Sequence, residues 1–413
     1  MLDNGHVDQD PGRFEKLSAD LTKRAQVIAE ELKTRVSETE KARRLPVENM
    51  ERICDEGLLR VIQSRRCGGH ELSMRVHLDV LSKVHLDVLS AIAEGCSATA
   101  WVLGVMHAHS WLLAHFPEQA QDDVYGENPN TMVSAVIGPR GKAVRKSDGT
   151  YVLNGFWPFG SGCQLSRWLL LGAEVFDEKD EFLDLADLLI PTTDAEIQDD
   201  WYVAGLQGTG SNSLVVKDLA IPEHRYLSLM GLLNHDTPGM SNGYDGWLHK
   251  AEAVPVLAIA LCGGAVGLGR AAVKQFRENI QGKTVAYTEH LQTDWSSTHI
   301  TMGKSASLID AGELLLYRAA DDTDRLAQAG EQMSMEMRGR IRMDCAHGVR
   351  LILEGANELF ITGGGAGLLL RNPMQQISRD LHATNMHGLL LLEPSAEVYG
   401  RVLLGLEPNT III

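Results

Sequence analysis

The 413-residue chain has no Cys-x-x-Cys pair; its six cysteines, Cys54, Cys67, Cys96, Cys163, Cys262 and Cys345, are scattered. That spacing excludes the usual zinc and dithiol frameworks and fits free thiols in a reduced compartment. A basic surplus is missing as well. Against 38 Lys and Arg stand 55 Asp and Glu, a formal charge of −17, which repels nucleic acid and anionic membranes, so neither is expected as a partner. The first residues, Met1-Leu2-Asp3-Asn4-Gly5-His6, lack the basic and apolar regions of a signal peptide, and the expected location is cytoplasmic. One apolar run, Ala253 to Leu268, is shorter than the about 20 residues a bilayer crossing needs. It holds Pro255, Gly263, Gly264 and Gly267 and is soon followed by Arg270. A helix apolar all round and rich in small residues fits the centre of a bundle.

Several catalytic signatures are absent too. No His-Glu-x-x-His occurs, and the pairs His107/His109 and His382/His387 do not have the i,i+4 spacing that puts two ligands on one helix face, so no metal is expected. There is no Gly-x-Ser-x-Gly elbow for a serine hydrolase. The Gly363-Gly364-Gly365-Ala366-Gly367 run has no Lys after it and is not a nucleotide phosphate loop. Gly264-Ala265-Val266-Gly267-Leu268-Gly269 lies inside an apolar helix with no strand before it, so it does not bind a dinucleotide in the usual strand-turn-helix way.

What is present begins with Leu17, Leu21, Ala25, Ile28 and Leu32, whose spacing predicts an amphipathic helix before Arg43. Pro46 opens a second helix that Gly57 closes, and Gly68-Gly69 marks a turn. Val76 to Lys83 is repeated almost exactly by Val84 to Ala91. Eight added residues in a helix advance it by about 12 Å and rotate the residues beyond them by roughly 80°, so the repeat is expected to break or bulge the helix away from any site. His77 and His85 are copies with structural roles. Another helix runs from Gly95 through Trp101 and His109 toward His115. Short β-type runs then take over at Met132–Ile137, Tyr151–Leu153, Trp168–Gly172, Leu185–Ile190 and Ser213–Val216, punctuated by Gly and Pro. Phe159-Gly160-Ser161-Gly162-Cys163 and Gly205 to Ser211 read as turns among them. Four or five helices are expected between Ala251 and Leu404.

The polar island Arg379-Asp380-Leu381-His382-Ala383-Thr384-Asn385-Met386-His387-Gly388 concentrates chemistry in the last third. Together with Thr99-Ala100-Trp101, Met106 to Ser110, Ser161-Gly162-Cys163 and Leu404 to Pro408, it resembles the oxygenase component of two-component flavin-dependent aromatic hydroxylases of the 4-hydroxyphenylacetate 3-hydroxylase type. The resemblance runs from about Arg43 to the C-terminus. It implies an α+β, acyl-CoA dehydrogenase-like fold: an N-terminal helical domain (1–124), a central antiparallel, barrel-like β domain (125–235) and a C-terminal four-helix bundle (236–413). It also implies a homotetramer, a small aromatic substrate, dioxygen, and reduced FAD or FMN supplied by a separate NAD(P)H:flavin reductase. A flavin C4a-hydroperoxide would then deliver the oxygen.

By the same resemblance His109 contacts the substrate hydroxyl and His387 stands near the flavin peroxide. Trp101 and Ser161 touch the flavin ring, with Ser134, Ile137, Phe159 and Gly162 on its β-domain side. Lys283 serves the flavin phosphate, and Gly364 brings backbone amides to that of a neighbouring subunit. Histidines suit this chemistry: a phenol titrates near about 10 and an imidazole near about 6.5, so the ring can accept the phenolic hydrogen bond, and such general-base help contributes about 10²- to 10⁴-fold. The pocket must also be dry, with Trp101, Phe159 and Met386 as walls.

The chain departs from the family pattern at Ala135, where a serine-rich strand leaves only Ser134, and at Leu389, which replaces an aromatic. It also departs at Val285, with Lys283 two positions before it, and at Gln63-Ser64 and Cys67 in a turn. The changes at Ala135 and Leu389 point away from hydroxyphenylacetate itself, and the turn is a minor surface departure. Three rivals stay open: an acyl-CoA dehydrogenase, a sulfur- or nitrogen-oxidising monooxygenase of the same fold, and a non-enzymatic flavin-binding protein. In the plainest alternative the histidines only hold helix ends and Trp101 is a core residue.

Overall fold

The spacing of Leu21, Ala25, Ile28 and Leu32 produces an amphipathic helix, α1 (Pro11–Lys33), and all four residues are buried. The computed structural model describes residues 11–72, 84–241 and 246–413. Helix α2 (Val36–Ala42) is closed by Arg43 in the left-handed region, and α3 (Val47–Asp55) follows Pro46. The first repeat copy, with His77, lies outside the described residues. Its second copy begins α4 (Val84–Gly95). There His85 is buried with its Nδ1 3.0 Å from that of His107, and His107 Nε2 lies 2.7 Å from the Leu58 carbonyl. Helix α5 (Ser97–Leu113) has every residue buried except Trp101. It is therefore the central helix, with one side chain facing out of the core. Helix α6 (Glu118–Tyr125) ends this helical part.

Seven strands come next: β1 (Val133–Arg145), β2 (Tyr151–Gly160), β3 (Trp168–Phe176), β4 (Phe182–Pro191), β5 (Glu196–Ile197), β6 (Asn212–Ile221) and β7 (Tyr226–Ser228). They form one sheet in the order β5-β6-β2-β1-β3-β4-β7. The expectation of a wholly antiparallel sheet is corrected here, because the central pair β1 and β3 is parallel. A parallel pair needs a crossover, and alternation of residue types carries no sign of strand direction. The crossover from β2 to β3 holds Ser161 to Arg167 and lies against α5: a Cβ on Gly162 would come within 2.8 Å of Val102 Cγ1. At its centre, along β3, the sheet is covered on both faces. Leu169, Leu171 and Ala173 pack with Trp157 and Leu188, while Leu170, Leu189 and Val133 join the helical core.

The remaining helices are α7 (Leu229–Leu233), α8 (Pro238–Ser241), α9 (Ala253–Ala260), α10 (Gly263–Asn279), α11 (Ser296–Ala329), α12 (Met335–Thr362), α13 (Pro373–Asn385) and α14 (Leu392–Leu403). Among the described residues six of these come after Ala251, where four or five were expected, since the apolar run breaks at Leu261-Cys262 into α9 and α10. By length and composition alone residues 253–279 could cross a membrane, and 72% of their apolar window is buried inside the fold. Its small residues do allow close approach. A Cβ on Gly267 would lie 2.1 Å from the Ser90 carbonyl of α4, whereas one on Gly264 would meet nothing within 4 Å.

Gly267→Val is therefore expected to lower stability by about 1–3 kcal/mol through overpacking, while Gly264→Ala is neutral or slightly stabilising. Denaturant unfolding of the two variants beside the parent chain checks this contrast.

Candidate active site

Three pieces of chain meet beside Trp101. The first is α5 itself, whose indole N–H donates to Ser161 Oγ at 3.1 Å. The second is the β domain. Ser161 Oγ lies 2.8 Å from Ser211 Oγ, Ser211 Oγ lies 2.7 Å from Thr209 Oγ1, and the Thr209 hydroxyl donates to the Leu206 carbonyl at 2.9 Å. The third is the end of α13, where the His387 ring stands edge-on to Trp101 with centroids 5.7 Å apart.

The junction of the three pieces is Asp380 on α13. It accepts from Ser97 Oγ, at the start of α5, at 2.5 Å and from the Leu206 backbone N–H at 2.6 Å. Leu206 has a left-handed backbone, φ 52°, uncommon for a residue with a branched side chain. Helix α13 rests directly on this loop: a Cβ on Gly205 would lie 2.2 Å from the Arg379 carbonyl. Arg379 adds bonds to the Ala204 carbonyl at 2.5 Å and to Glu40 at 2.8 Å. Burial lifts the Asp380 carboxyl to about 6, with Glu40 adding to the rise and Ser97, the Leu206 amide and Arg379 opposing it.

The two candidate catalytic histidines are neutral and are opposite tautomers. His109 is buried and its Nδ1–H donates to the Val133 carbonyl at 2.8 Å, so Nε2 keeps the lone pair. His387 Nδ1 accepts the Leu389 N–H at 3.3 Å, so its Nε2 carries the hydrogen. His387 is only half-buried, yet protein surrounds most of the ring. Burial pushes both imidazoles down to about 4, against the Val133 carbonyl in the case of His109. Trp101 and His109 are eight residues apart on α5, about 12 Å along its axis, and among the described residues no hydrogen bond or ring contact joins His109 to Trp101, Ser161 or His387.

The other expected residues divide. Ser134 is fully buried and gives its hydroxyl proton to the Ser161 carbonyl at 2.9 Å. Gly162, φ 70°, gives its N–H to the Thr209 carbonyl at 3.0 Å. The Ser134 hydroxyl and the Gly162 N–H therefore help hold the Ser161 turn in place. Ile137 is half-buried against the helical core. Phe159 and Met386, expected as walls of a dry pocket, are 66% and 69% exposed, so neither is shielded within the single chain. Phe159 has φ 70° and meets Trp201 edge-on at 6.0 Å. Lys283 and Gly364 form a second locus at the end of α12: the Lys283 ammonium bonds the Gly363 carbonyl, and a Cβ on Gly364 would lie 3.7 Å from Nζ. Among the described residues no hydrogen bond joins it to Trp101, Ser161 or His387. Sequence reasoning missed Asp380, Thr209 and Ser211 as site residues, although all three lie in stretches it had singled out.

These residues fit a planar, polar aromatic group. Trp101 and the exposed Phe159 offer ring faces, Ser161 offers an oxygen, and His387 offers an N–H. Among known families, the acyl-CoA dehydrogenase C-terminal domain matches residues 259–391. The oxygenase subunit HsaA of a flavin-dependent monooxygenase from Mycobacterium tuberculosis is 31% identical over 385 residues, covering 93% of this chain and 95% of that protein. Its crystal structure superposes with a TM-score of 0.86 over 96% of this chain and 100% of that one. The oxygenase component of an FADH2-dependent resorcinol hydroxylase from Rhizobium sp. is 29% identical, covering 92% of this chain and 93% of that protein. XiaF from Streptomyces sp., solved with FADH2 and glycerol, is 27% identical with a TM-score of 0.87, covering 97% of this chain and 98% of that one.

The Asp380 junction has a measurable pH signature. A carboxyl whose folded value is raised contributes stability that is fully present below its unfolded value, near about 3.9, and is lost as pH rises through about 6. The stability of the parent chain relative to Asp380→Asn is expected to fall by about 2 kcal/mol between pH 4 and pH 7. Urea unfolding across that range reads the difference, and a difference that does not change with pH contradicts the assignment.

Proposed function

The chain belongs to the oxygenase components of flavin-dependent monooxygenases with the acyl-CoA dehydrogenase fold, and from that membership we propose that it hydroxylates a phenolic or related aromatic compound. It uses dioxygen and reduced FAD or FMN delivered by a separate NAD(P)H:flavin reductase. Bound in the site, the reduced flavin supplies the electrons with which dioxygen gives one oxygen atom to the substrate and the other to water. The observation that supports this most directly is the pair of neutral imidazoles with opposite tautomers, since hydroxylation of a phenol calls for one acceptor and one donor.

In this reading the substrate hydroxyl donates to His109 Nε2, which makes the ring more electron-rich, and His387 Nε2–H faces the cofactor side. Because both rings titrate near about 4, both stay in these forms at neutral pH. Trp101, Phe159 and Ser161 hold the cofactor ring beside Ile137, Ser134 and Gly162 fix Ser161, and Lys283 and Gly364 hold the phosphate of a flavin in a neighbouring copy. The exposed Leu368 and Leu370, four and six positions after Gly364, support association with a further copy; a homotetramer and a cytoplasmic location belong to the same proposal. An acyl-CoA dehydrogenase needs a carboxylate base. Asp380 does not provide one, because it is 1% exposed and both its oxygens are occupied.

The purified chain alone is expected not to oxidise NADH, and to hydroxylate a phenol only when a reductase or chemically reduced flavin is added. His109→Asn should still bind reduced flavin but form product about 10²-fold more slowly, releasing hydrogen peroxide instead. Product and peroxide measured together check this. Steady NADH oxidation by the lone chain, or an unchanged product-to-peroxide ratio in His109→Asn, contradicts the proposal.

A further inference from the structure

The hydroxyl chain behind Trp101 has a direction. Three protons, on Ser161, Ser211 and Thr209, serve three contacts: Ser161 to Ser211 at 2.8 Å, Ser211 to Thr209 at 2.7 Å, and Thr209 to the Leu206 carbonyl at 2.9 Å. A carbonyl only accepts. One assignment alone makes all three bonds: Thr209 donates to Leu206, Ser211 to Thr209, and Ser161 to Ser211. The Trp101 indole, which only donates, takes one lone pair of Ser161. What remains on Ser161 for a ligand is a single acceptor position and no proton. The terminal carbonyl is held in place by the Leu206 N–H bond to Asp380, and it also accepts from the Trp201 indole at 3.2 Å.

We propose that Thr209 and Ser211 are positioning residues that make Ser161 an acceptor, so that the site selects reduced over oxidised flavin. This rests on the flavin reading above. Reduction adds N–H groups to the isoalloxazine where the oxidised ring has lone pairs. An acceptor-only oxygen bonds the reduced edge, and against the oxidised edge it sets lone pair against lone pair. Selection of this kind suits a chain that receives its flavin already reduced and must not hold the spent form. Neither Thr209 nor Ser211 needs to touch the flavin, because each acts through Ser161.

The test is the ratio of dissociation constants for oxidised and reduced FMN, and likewise FAD, titrated anaerobically against the intact protein. The parent chain is expected to bind the reduced form at least about tenfold more tightly, the size of one mismatched buried hydrogen bond. Thr209→Val removes the last link and Ser211→Ala the middle one. Each frees a proton for Ser161, so the ratio should fall by about tenfold, mainly through tighter binding of oxidised flavin. Thr209→Ser keeps the hydroxyl and should restore the ratio of the parent chain. A purely structural role would weaken both forms alike and leave the ratio unchanged, which overturns the proposal. So does a parent chain that binds both forms equally. Should neither form bind to any of the proteins, the flavin reading itself fails and this inference with it. Ser211→Ala only trims one oxygen and adds no bulk, so it decides the matter where Thr209→Val does not fold.

Discussion

A buried carboxyl, Asp380, holds the site together. Its oxygens take the Ser97 hydroxyl and the Leu206 amide, residues 283 and 174 positions away along the chain. These two bonds set the start of the helix that carries Trp101 and His109 against the loop that carries Thr209 and Ser211. They also tie both to the helix that ends in His387. The cost of burying the group shows in its titration near about 6. Breaking one bond would leave a buried donor without a partner, a loss of about 1–3 kcal/mol, so the arrangement tends to be kept whole.

From that junction the chemistry is reached by short steps. Leu206 is held in a left-handed conformation with its carbonyl at the end of the hydroxyl chain, and the chain fixes which atoms of Ser161 face outward. On the other side, the Val133 carbonyl fixes the tautomer of His109 and the Leu389 amide that of His387. Burial keeps both rings uncharged at neutral pH. The polarity of each group is thus set by backbone atoms of neighbouring elements, which makes the site pre-organised before any ligand arrives.

Much of this was legible in the sequence, and the remainder was hidden for definite reasons. The island at Arg379 to Gly388 and the Trp101 segment stood out by composition, and the structure brings Trp101, Ser161 and His387 together. Helix α1 and the main strands were readable from apolar periodicity. The parallel pairing of β1 and β3 was not, because residue alternation is the same in either direction. The break at Leu261-Cys262 lay within a run apolar enough to continue. The Ser134 hydroxyl and the Gly162 N–H donate to the Ser161 and Thr209 carbonyls, a pairing that spacing along the chain does not reveal. Asp380 was missed because an aspartate in a helix is usually a solvated residue, and its two partners become neighbours only after folding.

The most direct measurement is a single turnover. The protein, loaded anaerobically with reduced flavin and a phenol from a screened panel, is mixed with isotope-labelled dioxygen, and the product is examined by mass spectrometry. One labelled oxygen atom is expected in the hydroxylated product, and none in a control with oxidised flavin. A product without label, or an oxidised substrate formed with peroxide as the sole fate of dioxygen, would contradict the assignment of this chain as an aromatic hydroxylase.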